Sequence, residues 1–191
     1  MKRIPILPTL IVLAACAIMI RLGFWQIGRL HQKEAMLARY EAAIDAKAVV
    51  QFPIDEAQTS AVLYRRSEVV CINPSADRPK SGENAAGLAG WAHVFGCTGT
   101  YGTPATIVLG WSADPRPRTF NGGRVSGVIA YGPRLVVVDP ALSAAAGLQP
   151  NAMPDPRDLP NNHLAYAVQW FAFAAVALVI YGLAVRKRLQ G

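Results

Sequence analysis

Three histidines and three cysteines are the side chains here best suited to ligating a metal, relaying a proton or cross-linking the chain. No C-x-x-C, H-E-x-x-H, G-x-S-x-G or G-x-x-x-x-G-K-[ST] occurs. Those spacings would signal a redox pair, a zinc hydrolase, a nucleophilic serine and a phosphate-cradling loop. No nucleophile stands at a recognisable spacing from a base, so no enzyme activity is expected. His31 lies in a charged helical run and reads as a solvated side chain. His93 alternates with Trp91 and Phe95, where a hydrogen-bonded core imidazole is the commoner role. Cys71 and Cys97 fall in strand-like segments and are candidates for a disulfide. With His93, spaced H-x3-C, they form an alternative soft-ligand set for copper or zinc. His163 differs from the other two because it opens a long apolar run.

The elements that hold these residues begin with that run. Leu164–Val185 is 22 residues without a charge, roughly 33 Å as a helix and enough to cross a hydrocarbon core. Ile4–Ile20 is a second uncharged segment, expected to continue past Arg21 to Trp25. A signal peptide, or a lipoprotein box ending at Cys16, is the rival reading, but the following "AIMIRLGFW" stays apolar where a processed chain turns polar. Of nineteen cationic residues, Lys2, Arg3, Arg186, Lys187 and Arg188 sit at the two ends, leaving fourteen against twelve acidic ones. The net charge of +7 therefore reflects membrane topology, and nucleic acid is not an expected partner. Positive-inside bias places both termini in the cytoplasm. The expected order is a cytoplasmic N-terminus (1–5), a first span (6–26), an extracytoplasmic domain (27–161), a second span (162–185) and a basic tail (186–191). With no Arg/Ser-rich transit segment, a bacterial inner membrane is expected.

Between the spans, Ile27, Leu30, Leu37, Tyr40 and Ile44 mark one face of an amphipathic helix that either prolongs the span or folds back over the domain. The period then changes. "AVLYRRSEVVCI", "GWAHVFGCTG", "ATIVLGW", "GRVSGVIAYG" and "RLVVVD" are short, β-branched and aromatic, with Gly, Pro and Asn between them. They predict an antiparallel sheet or small barrel, and so a membrane α+β protein: a two-helix hairpin with an antiparallel β-rich extracytoplasmic domain. Residues 74–89 read as a mobile loop, and residues 140–162, with five prolines, as a surface connection.

His163 follows Asn161 and Asn162, either of which can cap the helix. In the first turn the helix dipole disfavours imidazolium and leaves a neutral ring. Ala167, Trp170, Ala174, Ala177 and Tyr181 share its face, and Ala14, Ala17, Arg21, Trp25 and Gly28 align similarly in the first span. Close helix packing and an interfacial aromatic belt account for these stripes. So does a groove for a flat macrocycle, with an axial imidazole and an arginine for propionates. For Arg21 itself, snorkelling to the headgroups is the simpler account and binding an anion the sharper one.

Two stretches are similar to a known family. "LGFWQIGRLHQKEAML" (22–37) resembles the L-G-x-W-Q-L-x-R-x-x-x-K signature of the Surfeit-locus protein one family, and "NNHLAYAVQWFAFA" (161–174) resembles its N-N-H-L-x-Y-A-x-x-W-F signature. "YRR" (64–66) and "VLGW" (108–111) match weaker landmarks in the same order, although the family's N-R-G-W reads Val108-Leu109-Gly110-Trp111 here. The resemblance implies a cytochrome c oxidase assembly factor that binds or guards haem a and aids its insertion into the catalytic subunit, beside the haem a synthesis machinery. It implies His163 as candidate haem-iron ligand, Trp25 and Gln26 as the family's W-Q pair, and Gly23 as its glycine. Arg21 and Trp170 complete the expected cofactor-binding set. The alternatives are a haem-independent chaperone of an oxidase subunit, or a Cys71/His93/Cys97 copper carrier.

Overall fold

The computed structural model describes residues 5–99 and 102–190, so Lys2 and Arg3 lie outside the described residues. Two compact units emerge: Met1–Leu37 with Leu159–Gly191, and Ala38–Asp158. Helix α1 (Ile6–Asp45) and helix α4 (His163–Gln190) are both long and apolar enough to cross a membrane. Of the two courses open to the amphipathic segment after the first span, the structure takes the first. The segment prolongs α1 without a break, because no Gly-Pro signal or cap interrupts the run from Trp25 to Asp45.

The second unit carries two short helices, α2 (Glu56–Val62) and α3 (Pro140–Ala145), each capped by an aspartate side chain: Asp55 accepts from Gln58 N, and Asp139 from Ala141 N. Six strands are present: β1 (Arg66–Cys71), β2 (Lys80–Glu83), β3 (Ala89–Thr98), β4 (Pro104–Ser112), β5 (Gly123–Ala130) and β6 (Arg134–Val136). Their order is β1-β5-β6-β4-β3-β2. The expectation of an antiparallel sheet needs one correction: β4 and β6 pair in parallel, so the sheet is mixed. The turn from β5 to β6 spans only Tyr131–Pro133, which inserts β6 between β5 and β4.

The segment expected to be a mobile loop is the other correction. After pairing with β5 as β1, the chain bends and runs antiparallel along β3. Ile72 exchanges both backbone hydrogen bonds with Thr98, Ser75 N donates to Gly96 O, Arg78 N donates to Val94 O, and β2 completes the ladder. Its polar composition concealed a strand whose backbone groups have partners. Pairing with β5 as β1 and with β3 beyond it, the bent strand joins the two sides of the mixed sheet and closes it into a barrel. Cys71 and Cys97 form a disulfide across this closure, 26 residues apart. On a chain-entropy model the bond contributes roughly 3–4 kcal/mol. Inside lie Phe95, Ile107, Leu109, Ile129, Leu135 and Val137, all fully buried and each worth about 1.5–3 kcal/mol on burial.

Candidate functional site: the mouth of the helical hairpin

In the first unit, α1 presents Thr9, Val12, Cys16, Met19, Gly23 and Gln26 to α4, while α4 returns His163, Ala167, Trp170, Ala174, Ala177 and Tyr181; all twelve are buried or half-buried. Both sets alternate steps of three and four residues, the seam of an antiparallel left-handed pair. Small side chains make the approach possible. A Cβ on Gly23 would sit 2.6 Å from the Phe171 ring, and the Cys16 thiol lies 3.7 Å from Ala174 O. Phe24 meets Phe171 edge-on with centroids 5.3 Å apart. Two polar contacts bracket the seam. Toward the chain ends, Tyr181 and Thr9 hydroxyls lie 2.5 Å apart, and Thr9 Oγ1 also donates to Pro5 O.

At the opposite end, His163 Nδ1 is 2.7 Å from Gln26 Oε1. An amide oxygen only accepts, so Nδ1 carries a proton and Nε2 is the nitrogen left over for another partner. Among the described residues Nε2 has no hydrogen-bond partner, and the residue is half-buried. A ring held through Nδ1 with Nε2 open is the arrangement in which a ligating histidine is oriented by its outer partner. Of the two expected candidates, Asn162 takes the N-cap position. Asn162 accepts Tyr166 N through its backbone carbonyl, and Asn161 Oδ1 is buried without a partner among the described residues.

The sequence-derived site therefore divides. His163 and Gln26 meet directly, and Trp170 shares the His163 face, where it contacts Phe173 at 6.2 Å. Arg21 and Trp25 do not join them. At 100° per residue both point away from Gly23 and the seam, and both are exposed, Trp25 at 55%. The stripe Ala14, Ala17, Arg21, Trp25 and Gly28 is thus the outer face of α1. Two stripes of α1 satisfy the same spacing, and periodicity does not say which of them meets α4.

This seam and its histidine belong to a stretch that matches a family model over residues 13–175, described as the SURF1 family. The chain belongs to the SURF1 family. That family, the Surfeit-locus protein one family of the motifs above, is associated with cytochrome oxidase assembly. No curated protein matches the sequence closely enough to extend the comparison. With its two long apolar helices, this SURF1 chain is a membrane protein.

The barrel of this SURF1 chain holds a second histidine in a different setting. His93 Nδ1 lies 2.5 Å from Asp77 Oδ2, and its Nε2 lies 2.8 Å from Ser112 Oγ. An Asp–His–Ser trio of this kind was not legible in the sequence, because Asp77 falls in the segment read as a loop. It lacks the proton path of a nucleophilic serine. The Ser112 hydroxyl donates its single proton to Asp114 O at 2.6 Å, so Nε2 must donate to Oγ. Asp77 also accepts from Val94 N and Arg118 N. The trio is a fully hydrogen-bonded buried cluster that fastens the bent strand and the β4–β5 loop to β3. The copper-site alternative is overturned here: both cysteine sulfurs are committed to the disulfide and both nitrogens of His93 are occupied.

Three tyrosines form the remaining cluster in the barrel unit. The rings of Tyr40 and Tyr64 are 5.0 Å apart, and Tyr40 and Tyr131 hydroxyls approach to 3.5 Å. The Tyr131 phenol is pushed up to about 12, chiefly by its contact with the Tyr40 hydroxyl and then by burial. Burial, then the neighbouring Tyr40, raises Tyr64. At the surface, hydrogen bonds from Arg116 hold the Asp114 carboxyl well below the usual carboxylate range.

Proposed function

We propose that this chain is a non-enzymatic cytochrome c oxidase assembly factor that takes haem a as cargo. His163 is its iron ligand at the outer edge of a bacterial inner membrane. Both termini face the cytoplasm and the barrel faces the periplasm, as the basic clusters at the chain ends favour. The observation that carries the reading is the Gln26–His163 hydrogen bond, which engages Nδ1 and leaves Nε2 open at the start of α4. An imidazole ligand supplies one strong-field axial bond to haem iron. Gln26 orients the ring and fixes the tautomer, while Trp170 and the lipid-facing apolar surface supply a water-poor flank. A single protein ligand suits a carrier that must release its load to the catalytic subunit. Arg21, on the far side of α1, is not part of this set.

The test is the optical spectrum and pyridine haemochrome of the full chain, purified after co-expression with haem a synthesis, beside His163→Ala. Haem a in the parent and none in the variant is the expected result. The same hydrogen bond also supports a second reading, a haem-independent chaperone in which His163 and Gln26 only latch the helices. Haem in neither protein, with the variant less stable, selects that reading.

A further inference from the structure

Asn161 stands two residues before His163 and is not the cap of α4, whose first carbonyl comes from Asn162. Its side-chain oxygen Oδ1 is buried, yet it has no hydrogen-bond partner among the described residues. A buried acceptor without a donor destabilises the fold that contains it, so its presence calls for a reason. Because no partner holds Oδ1, a turn of the terminal amide about χ2, a broad torsion, frees it without breaking a hydrogen bond. Two extended residues reach at most about 7 Å, so the carboxamide stays beside whatever His163 Nε2 holds.

On the reading of His163 as the iron ligand, we propose that Asn161 is a specificity residue whose Oδ1 accepts the hydroxyl proton of the haem's hydroxyalkyl substituent. The rim of haem a carries two propionates, a formyl group and a hydroxyethyl carbon that bears the isoprenoid tail, besides methyl and vinyl groups. Ionised propionates and a formyl oxygen only accept hydrogen bonds, as Oδ1 does. The hydroxyl is the donor on that rim. Protohaem has a vinyl group at the same position and leaves Oδ1 unpaired. A site with a buried polar group discriminates strongly against a ligand that lacks the matching group.

The test titrates the full chain, purified without haem in detergent, with haem a, haem o and protohaem, beside His163→Ala and Asn161→Leu. Haem o keeps the hydroxyl and the tail but has a methyl in place of the formyl group. Asn161→Leu is expected to weaken haem a and haem o by about ten-fold, and to leave protohaem within about two-fold. The unfolding midpoint of the haem-free variant should equal or exceed that of the parent, because no internal hydrogen bond is lost. Asn161→Ala repeats the comparison with a smaller side chain. An equal loss for all three haems, or none for any, overturns the proposal while the His163 reading stands. A loss confined to haem a also overturns it, since that assigns the contact to the formyl group. So does a haem-free chain destabilised by both substitutions, which gives Oδ1 an enclosed water as its partner. If the parent binds no haem, or binds it equally without His163, this proposal and the reading beneath it fall together.

Discussion

The two informative histidines occupy opposite situations. His93 is 0% exposed within the barrel, with a carboxylate on one nitrogen and a serine on the other. His163 is half-buried at the mouth of a helical hairpin, with an amide on Nδ1 and nothing from the described residues on Nε2. Both rings are oriented through Nδ1, so orientation does not separate a structural imidazole from one able to ligate. The second nitrogen does. A ring with both nitrogens occupied stabilises what surrounds it, and a ring with one open nitrogen can still bind something.

The sharpest way to break this contrast is to remove each ring in turn. His93→Ala leaves Asp77 buried beside an empty volume, and loss of one partner of a buried pair costs about 3–5 kcal/mol. Denaturant unfolding in detergent should show that loss, with haem a retention in the remaining folded protein unchanged. Haem lost in step with His93 would mean that the two sites are not independent. Gln26→Ala is expected to weaken haem a retention by about 10–100-fold, the usual effect of removing a ligand's orienting partner. Spectrophotometric titration of the two proteins measures it; equal affinities would reduce Gln26 to a helix latch.

The smallest effect belongs to Tyr131. Its phenol titrates higher in the folded chain than the ordinary 10.0, so the stabilisation is complete below about pH 10 and lost as pH rises towards about 12. The stability difference between the parent and Tyr131→Phe should shrink over that window, followed by alkaline unfolding beside phenolate absorbance at 295 nm. A difference that stays constant from pH 9 to 12 would locate the role of Tyr131 in packing alone.

Much of the architecture was legible because it rests on local periodicity and composition. Two uncharged runs gave two spans, and five β-branched segments gave five of the six strands. The missed strand β2, "KSGE", carries no apolar signal. Its partner β3 supplies the hydrogen bonds, and Gly82 leaves room against Ala92. The start of "AVLYRRSEVVCI" turned out helical because Asp55 caps a short turn there.

By itself, then, the amino-acid order determined the membrane class, the hairpin, the β-rich middle and the two residues at the mouth, His163 and Gln26, through the family motifs that hold them. Whether they touch lay outside it, since 137 residues separate them. Only the tertiary structure chose which stripe of α1 meets α4, because a helix repeats the same spacing on every face and packing alone breaks the tie. Packing placed Gly23 under Phe171 and turned Arg21 outward. It also brought Asp77, His93 and Ser112 together from a supposed loop and two strands. Contacts between distant segments depend on how the whole barrel closes, and no local pattern records that.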